Sequence, residues 1–181
     1  MDSGRPNHPR KTRTGNGGAG KKDFSPSRGK VQRAARPVAK KGILAFMKGI
    51  ADTGFIVAFG NRGDTHHDWA LNIAKGLSEP LITCEAVLAE AAFHLGSSSY
   101  VLGLLRDRLL ALDFSFVENL EHLWLLSRSY EGRKPDLADL CLIRMSELYP
   151  RHTIITVDEA DFRVYRRNKR EMIPILCPPR S

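Results

Sequence analysis

From residue 42 onward the chain alternates short apolar runs with longer stretches in which apolar side chains recur every three or four positions. The first run ends at Ala51 and is followed at once by Asp52-Thr-Gly. That pattern reads as a buried strand, a tight turn and a helix capped by Thr53 that continues through residues 55–59. Asn61-Arg-Gly-Asp64 is a turn, and Asp64 or Thr65 stands where it would cap a second helix over residues 65–77. Trp69, Ile73 and Leu77 form the core stripe of that helix. Pro80-Leu-Ile-Thr83 is a short buried strand, followed by a helix over residues 84–95 with Val87, Leu88, Ala91, Ala92 and Leu95 facing inward.

Serines at 97–99 interrupt the pattern, and residues 100–112 then predict another amphipathic helix. Phe114-Ser-Phe-Val117 is a candidate third strand. It leads into a helix over residues 118–130 that carries Leu120, Leu123, Trp124 and Leu126. After the loop Glu131-Gly-Arg-Lys-Pro135, residues 136–148 form a helix that Pro150 ends. Residues 152–156 predict a fourth strand and residues 158–162 a short helical turn. Met172-Ile-Pro-Ile-Leu176 suits an edge strand, where proline is tolerated. Strands and helices alternate throughout. The expected fold class is α/β: a three-layer α/β/α sandwich on a central, mainly parallel sheet.

Charge divides the chain differently. Residues 1–48 hold 13 Lys/Arg against only Asp2 and Asp23, a net of +11, whereas residues 49–181 hold 15 Lys/Arg against 18 acids, a net of −3. Residues 1–41 are rich in Gly, Pro, Ser, Lys and Arg and have few large apolar side chains, so they cannot offset the entropy of ordering. The expected organisation is a disordered basic tail over residues 1–41 and a folded domain over residues 42–181. Such a tail suits a polyanion or serves as a solubilising extension, and the single Phe24 gives it no base-stacking platform.

Cys84, Cys141 and Cys177 are odd in number and far apart, which points neither to a disulfide framework nor to a zinc knuckle and fits a reducing cytoplasm. No apolar run approaches the roughly 20 residues of a membrane span. The leader lacks an apolar core for secretion, and Gly-Asn-Gly-Gly-Ala-Gly disfavours an amphipathic transit helix. The pair His66-His67 invites a metal reading, but adjacent residues point about 100° apart on a helix, so both read as surface histidines.

The acids carry the chemical signal. Asp52 and Asp158 each follow a strand, which puts both at the carboxyl edge of the sheet, where ligands of open parallel sheets bind. The helix over residues 84–95 starts at that edge and brings Glu85 or Glu90. These lie about 140° apart around the helix, so at most one faces the site squarely. The helix over residues 136–148 also starts there, with Asp136 and Asp139 on a shared face. Each acid alone could be a cap or a turn residue. Together they would repel one another unless a cation neutralised them or their pKa values rose. Dense carboxylate oxygens suit Mg²⁺ or Mn²⁺, ions that activate water for phosphodiester hydrolysis. The sequence holds no Gly-x-Ser-x-Gly elbow, P-loop or dinucleotide fingerprint.

Four segments now fall into an order: Asp52-Thr-Gly-Phe, Leu81-Ile-Thr-Cys-Glu-Ala-Val-Leu-Ala-Glu90, Pro135-Asp-Leu-Ala-Asp139 and Thr156-Val-Asp-Glu-Ala-Asp-Phe162. In order and spacing they resemble the PIN-domain nucleases, among which the VapC-like toxins of toxin–antitoxin systems are the nearest group; the likeness spans about residues 48–178. The resemblance implies a PIN-like domain and a Mg²⁺- or Mn²⁺-dependent endoribonuclease. It carries the acidic quartet onto Asp52, Glu90, Asp139 and Asp158 as catalytic and metal-binding residues. Asp136 and Asp161 support them from behind, and Thr53 and Thr156 match hydroxyl positions that steady a carboxylate or bound water. The long basic arm departs from the family, whose members are usually little more than the domain.

Arg163, Arg166, Arg167, Lys169 and Arg170 follow Asp158 closely and are candidates to hold RNA phosphates. Implied partners are RNA and an antitoxin protein, with no membrane; the apolar helix over residues 100–112 suits a homodimer contact. The alternative is a non-catalytic PIN-like module that binds RNA or protein. A phosphatase with an aspartyl nucleophile would need a second Asp two residues after Asp52, where Gly54 stands.

Overall fold

The central strands are only three residues long and almost wholly buried. In the computed structural model, which describes residues 47–180, β1 (Gly49–Ala51) is buried throughout, and β2 (Leu81–Thr83) and β4 (Thr153–Ile155) are nearly so. With β3 (Leu110–Leu112) and β7 (Ile175–Leu176) they form a five-stranded sheet in the order β3-β2-β1-β4-β7. Every pairing in it is parallel, with Ile50 opposite both Ile82 and Ile154. The expected α/β/α sandwich is what forms. The basic tail and its boundary at residue 41 lie outside the described residues.

The helices are α1 (Thr53–Gly60), α2 (His67–Gly76), α3 (Glu85–Leu95), α4 (Ser98–Arg106), α5 (Leu120–Ser129), α6 (Leu137–Leu148) and the single turn α7 (Glu159–Phe162). Helix α1 packs on α2 and α3, α6 lies against β1 and β4, and α5 packs on α6. The largest fully buried side chains, among them Phe55, Ile143, Met145, Ile154 and Phe162, knit these layers together. No helix among the described residues is long and apolar enough to cross a membrane. Cys84, Cys141 and Cys177 are free thiols.

The sheet order fixes where a site can form. From β1 the chain builds outward through β2 to β3, then crosses back to place β4 on the other side of β1. The connections leaving β1 and β4 therefore diverge from neighbouring strands, and the crevice between them is the topological switch point. Asp52 stands at one exit. Its amide donates to the carbonyl of Ile155 at 3.1 Å and extends the β1–β4 pairing by one residue.

Several elements differ from the sequence pattern. The first helix is capped by Asp52, whose side chain accepts from the Thr53 amide, and Thr53 is its first residue. The second begins at His67, and Asp64 caps only the preceding turn by accepting from the His66 amide. The helix expected over residues 100–112 stops at Arg106, because Arg108 turns left-handed (φ 60°) and frees Leu110–Leu112 to become the edge strand β3. Residues 114–117 form no strand: they are irregular up to Ser115 and enter a turn over residues 116–119, where the Asn119 amide closes back onto the Phe116 carbonyl and the Glu118 amide onto Ser115 Oγ. Short apolar runs do not discriminate strand from turn. The edge strand expected over 172–176 is split. Ile175–Leu176 joins the sheet, while β6 (Glu171–Met172) pairs antiparallel with β5 (Arg166–Arg167) in a separate hairpin.

That hairpin is tied to α6. Glu147, in a half-buried pair with Arg144 at 2.8 Å, accepts from the amide of Asn168 at the hairpin tip, and Arg144 Nε reaches Asn119 Oδ1 at 2.9 Å just before α5. The core itself is testable through Ile154, fully buried in β4. Ile154→Ala is expected to lower unfolding stability by about 2–5 kcal/mol, read from urea denaturation at unchanged m-value.

Candidate functional site

The crevice at the switch point is a cavity of about 310 Å³ lined by Asp52, Thr53, Gly54, Val57, Asp64, Glu90, His94, Asp136, Ala138, Asp139, Val157, Asp158, Asp161 and Phe162. All four acids expected from the sequence reach it, and so do Thr53, Asp136 and Asp161. Thr156 stands behind the lining and acts on it from there. Of the two acids on α3, Glu90 lines this cavity, while Glu85 lines a separate one with Cys84, Phe114 and Cys141.

The Asp52 carboxylate is held from two sides. Its Oδ1 accepts from the Thr53 amide at 2.6 Å and its Oδ2 from Thr156 Oγ1 at 2.5 Å. The same Thr156 hydroxyl oxygen accepts from the Asp158 amide at 2.9 Å, so one threonine ties the β1 exit to the β4 exit. Close approach is possible because residue 54 is glycine. A Cβ there would lie 2.5 Å from Cγ2 of Val157, and only the absence of a side chain lets the first turn of α1 meet the chain leaving β4.

Thr53 Oγ1 donates to Glu90 Oε2 at 2.7 Å, bringing α3 to the site, and His94, one turn further along α3, stands 3.7 Å from the other oxygen of Glu90. Asp136 caps α6 by accepting from the amide of Asp139 at 2.8 Å. Asp139 then points inward, and its Oδ2 accepts from the hydroxyl of Tyr165 at 3.1 Å. Asp158 caps the short α7 through the Asp161 amide at 3.1 Å and remains exposed.

The electrostatics follow from this crowding. Burial pushes the Asp52 carboxyl up to about 6; the charge of Glu90 adds to the rise, and hydrogen bonds from Thr156 and Thr53 oppose it. Burial likewise lifts Asp139 to about 7, with repulsion from Asp136, Asp52 and Asp161 adding and Tyr165 opposing. The donors are oxygens in an acidic crevice, which is the chemistry of a hard divalent cation. Among the described residues no three His, Cys, Asp or Glu side chains already stand close enough to hold an ion between them. Mg²⁺ does not require that: it keeps several waters and takes one or two carboxylates. The residues fit such an ion.

The basic residues fare differently. Arg163 pairs with Glu159, Arg166 Nη1 donates to the carbonyls of Arg163 and Tyr165, and Arg167 is spent on Glu171 and the carbonyl of Pro150. Lys169 and Arg170 are exposed and make no ion pair among the described residues. His66 and His67 do not line the crevice, and His67 Nδ1 lies 2.8 Å from the carbonyl oxygen of Ala58.

Two residues of the site lie outside the sequence expectation. Tyr165 has no motif around it, whereas His94 could have been found, since it lies four residues after Glu90 on one face of α3.

The carboxylate crevice thus lies at the switch point of a five-stranded parallel sheet. The PIN domain family matches residues 50–168, and the chain belongs to that family of nucleases. The fold is similar to the crystal structure of VapC20 of Mycobacterium tuberculosis, a Sarcin-Ricin loop cleaving toxin, with a TM-score of 0.55 and 17% identity over 61% of this chain and 90% of that one. The chain has no match among curated proteins.

The raised carboxyls set a pH dependence in chelator-treated protein. An acid whose pKa rises on folding contributes stability fully below its ordinary value of 3.8. That contribution is lost as pH climbs through about 6 for Asp52 and about 7 for Asp139. Melting temperature in EDTA is therefore expected to fall from about pH 5 to about pH 8. Asp52→Asn should flatten that fall, as scanning calorimetry across the range would show.

Proposed function

We propose that the domain is a divalent-metal-dependent endoribonuclease that hydrolyses RNA phosphodiester bonds. The observation that carries this reading is the single crevice lined by Asp52, Glu90, Asp139 and Asp158, which come from four separate segments of the chain. Mg²⁺ or Mn²⁺ is the cofactor such oxygens suit, and when bound it would lower the pKa of water and offset charge on the departing oxygen.

The protein's part is positioning. In this reading Asp52, Glu90 and Asp139 hold the cation directly or through water, with Asp158 completing the set. Thr156 fixes the rotamer of Asp52, and Thr53 does the same for Glu90. Asp136 and Asp161 sharpen the negative potential from the rim. Tyr165 holds one oxygen of Asp139, which leaves the other free to turn toward the crevice. No nucleophilic side chain is required. Exposed Lys169 and Arg170 join the RNA-contacting surface, and Arg163, Arg166 and Arg167 shape it through their backbone and acid contacts.

VapC20 carries the description of a toxin that cleaves the Sarcin-Ricin loop. By that likeness we extend the proposal to a toxin role with RNA as substrate, an antitoxin protein as partner, and a homodimer formed through exposed apolar residues such as Leu102 on α4. A cytoplasmic location and the division into a basic tail over 1–41 and a nuclease domain over 42–181 belong to the same proposal.

The direct test uses full-length protein and single-stranded RNA. Cleavage should require Mg²⁺ or Mn²⁺, stop in EDTA and fall by at least about a hundredfold in Asp52→Asn. Cutting that survives both the chelator and the substitution sinks the reading. Tyr165→Phe keeps the buried ring but removes the hydroxyl held to Asp139. It should lower Mn²⁺ affinity or turnover by about 10–100-fold. Stability should change by no more than about 1 kcal/mol, which separates positioning from folding.

A further inference from the structure

Beside the acidic crevice lies a second cavity of about 440 Å³, lined by Gly132, Arg133, Lys134, Pro135, Asp136, Asp139, Asp161, Val164 and Tyr165. It shares Asp136, Asp139 and Asp161 with the crevice. One wall is acidic and continuous with the candidate metal site; the other is the loop between α5 and α6, which contributes a guanidinium and an ammonium. Neither cation has been spent on the facing acids: among the described residues neither Arg133 nor Lys134 forms an ion pair. Both are exposed.

The loop that holds them is built. The amides of Arg133 and Lys134 both donate to the carbonyl of Tyr130, at 2.8 and 3.1 Å. Lys134 adopts a left-handed backbone (φ 50°), a conformation that costs a residue other than glycine about 1 kcal/mol or more and that accumulates at ligand-contacting turns. The ring of Tyr130 packs edge-on against Tyr165 with centroids 5.2 Å apart, and its hydroxyl accepts from the amide of Arg166 at 2.9 Å. Tyr165 in turn donates to Asp139. Through two tyrosines the cationic loop, the β5–β6 hairpin and one acid of the crevice are set in register.

We propose that Arg133 and Lys134 form a phosphate-binding subsite for single-stranded RNA. They hold a backbone phosphate next to the scissile one, which lies over the acidic crevice. This assignment rests on the nuclease reading and adds to it the residues that grip the substrate. A chain with a negative charge at every nucleotide is the occupant that explains cations and acids held side by side without pairing. One phosphate takes the two cations, and the neighbouring one approaches the acids only in company with a divalent ion.

The test compares Arg133→Gln/Lys134→Gln with an equal loss of charge elsewhere, Lys75→Gln/Arg106→Gln, in the full-length protein. Binding is read by fluorescence anisotropy with a labelled single-stranded oligoribonucleotide in Mg²⁺, with Asp52→Asn added to each protein to block cutting. The loop variant should bind about tenfold more weakly. Its log–log salt slope should shrink by about 0.7, as expected for one lost phosphate contact on a single strand. The control pair should change neither quantity by a comparable amount. In otherwise intact enzyme the loop variant should raise KM more than it lowers kcat, and Arg133→Lys should recover part of the loss.

A loop variant that binds and cleaves like the unmodified protein overturns the subsite and leaves the nuclease reading standing. Weaker binding with an unchanged salt slope also overturns it. An unmodified protein that binds RNA with this loop dependence yet never cuts it overturns the nuclease reading and leaves the subsite in place. Absence of RNA binding in every variant overturns both. Lys134→Gly, which suits the left-handed backbone, supplies a well-folded second variant should the glutamine pair be unstable.

Discussion

The hydroxyl of Thr156 is the point on which the site depends. It donates to Asp52 across 104 residues of sequence and accepts from the amide of Asp158, two residues further on. A buried carboxylate without such donors would be neutralised or driven to solvent. Here the hydroxyl and the Thr53 amide offset part of the desolvation, so Asp52 stays buried at the end of β1 with its carboxyl raised to about 6 rather than far higher. Gly54 makes this contact possible by letting α1 begin against Val157. The adjacency of β1 and β4 supplies the rest, because parallel neighbours that diverge at their carboxyl ends leave a crevice with nowhere else to form.

The crowding of acids in that crevice is a stored imbalance. Asp136, Asp139 and Asp161 come from α6 and the α7 turn, and their mutual repulsion raises Asp139 on top of its burial. Structural needs explain only part of the set. Asp136 caps α6, Asp158 caps α7 and Asp52 caps α1. Glu90 caps nothing, and Asp139 takes its one side-chain hydrogen bond from Tyr165. Both line the crevice without serving a helix end.

Much of this was legible beforehand. Asp52 and Asp158 could be placed at the carboxyl edge because each follows an apolar run too short for a helix. Helical spacing after Pro80 and before Pro150 brought Glu85 or Glu90, and Asp136 and Asp139, to the same edge, and the resemblance to PIN-domain nucleases singled out Glu90 and Asp139. The edge of the sheet was harder. Leu110–Leu112 continued the apolar period of α4, and only the left-handed turn at Arg108 breaks it, a backbone event that arginine does not advertise. Phe114 and Phe116 looked like strand residues, yet they follow β3 beyond the sheet, where no neighbour remains to pair with them. Tyr165 was invisible for a different reason: its role arises from packing on Tyr130 and Phe162, contacts set by the tertiary fold and not by spacing. The basic run after Asp158 was visible as charge, but its division into paired arginines and exposed Lys169 and Arg170 depended on where Glu159 and Glu171 came to lie.

Helix α6 has one further consequence. Its first turn carries Asp136 and Asp139, the turn before it carries Arg133 and Lys134, and the Arg144–Glu147 pair near its far end fastens both the start of α5 and the tip of the hairpin. The acids sit at the start of α6 and the cations on the turn that leads into it, so the backbone distance between them is short and set by the chain. A short separation of opposite charges along the chain matches the repeat of charge along a nucleic-acid strand more closely than it matches a compact ligand, which is the length scale the proposed subsite would read.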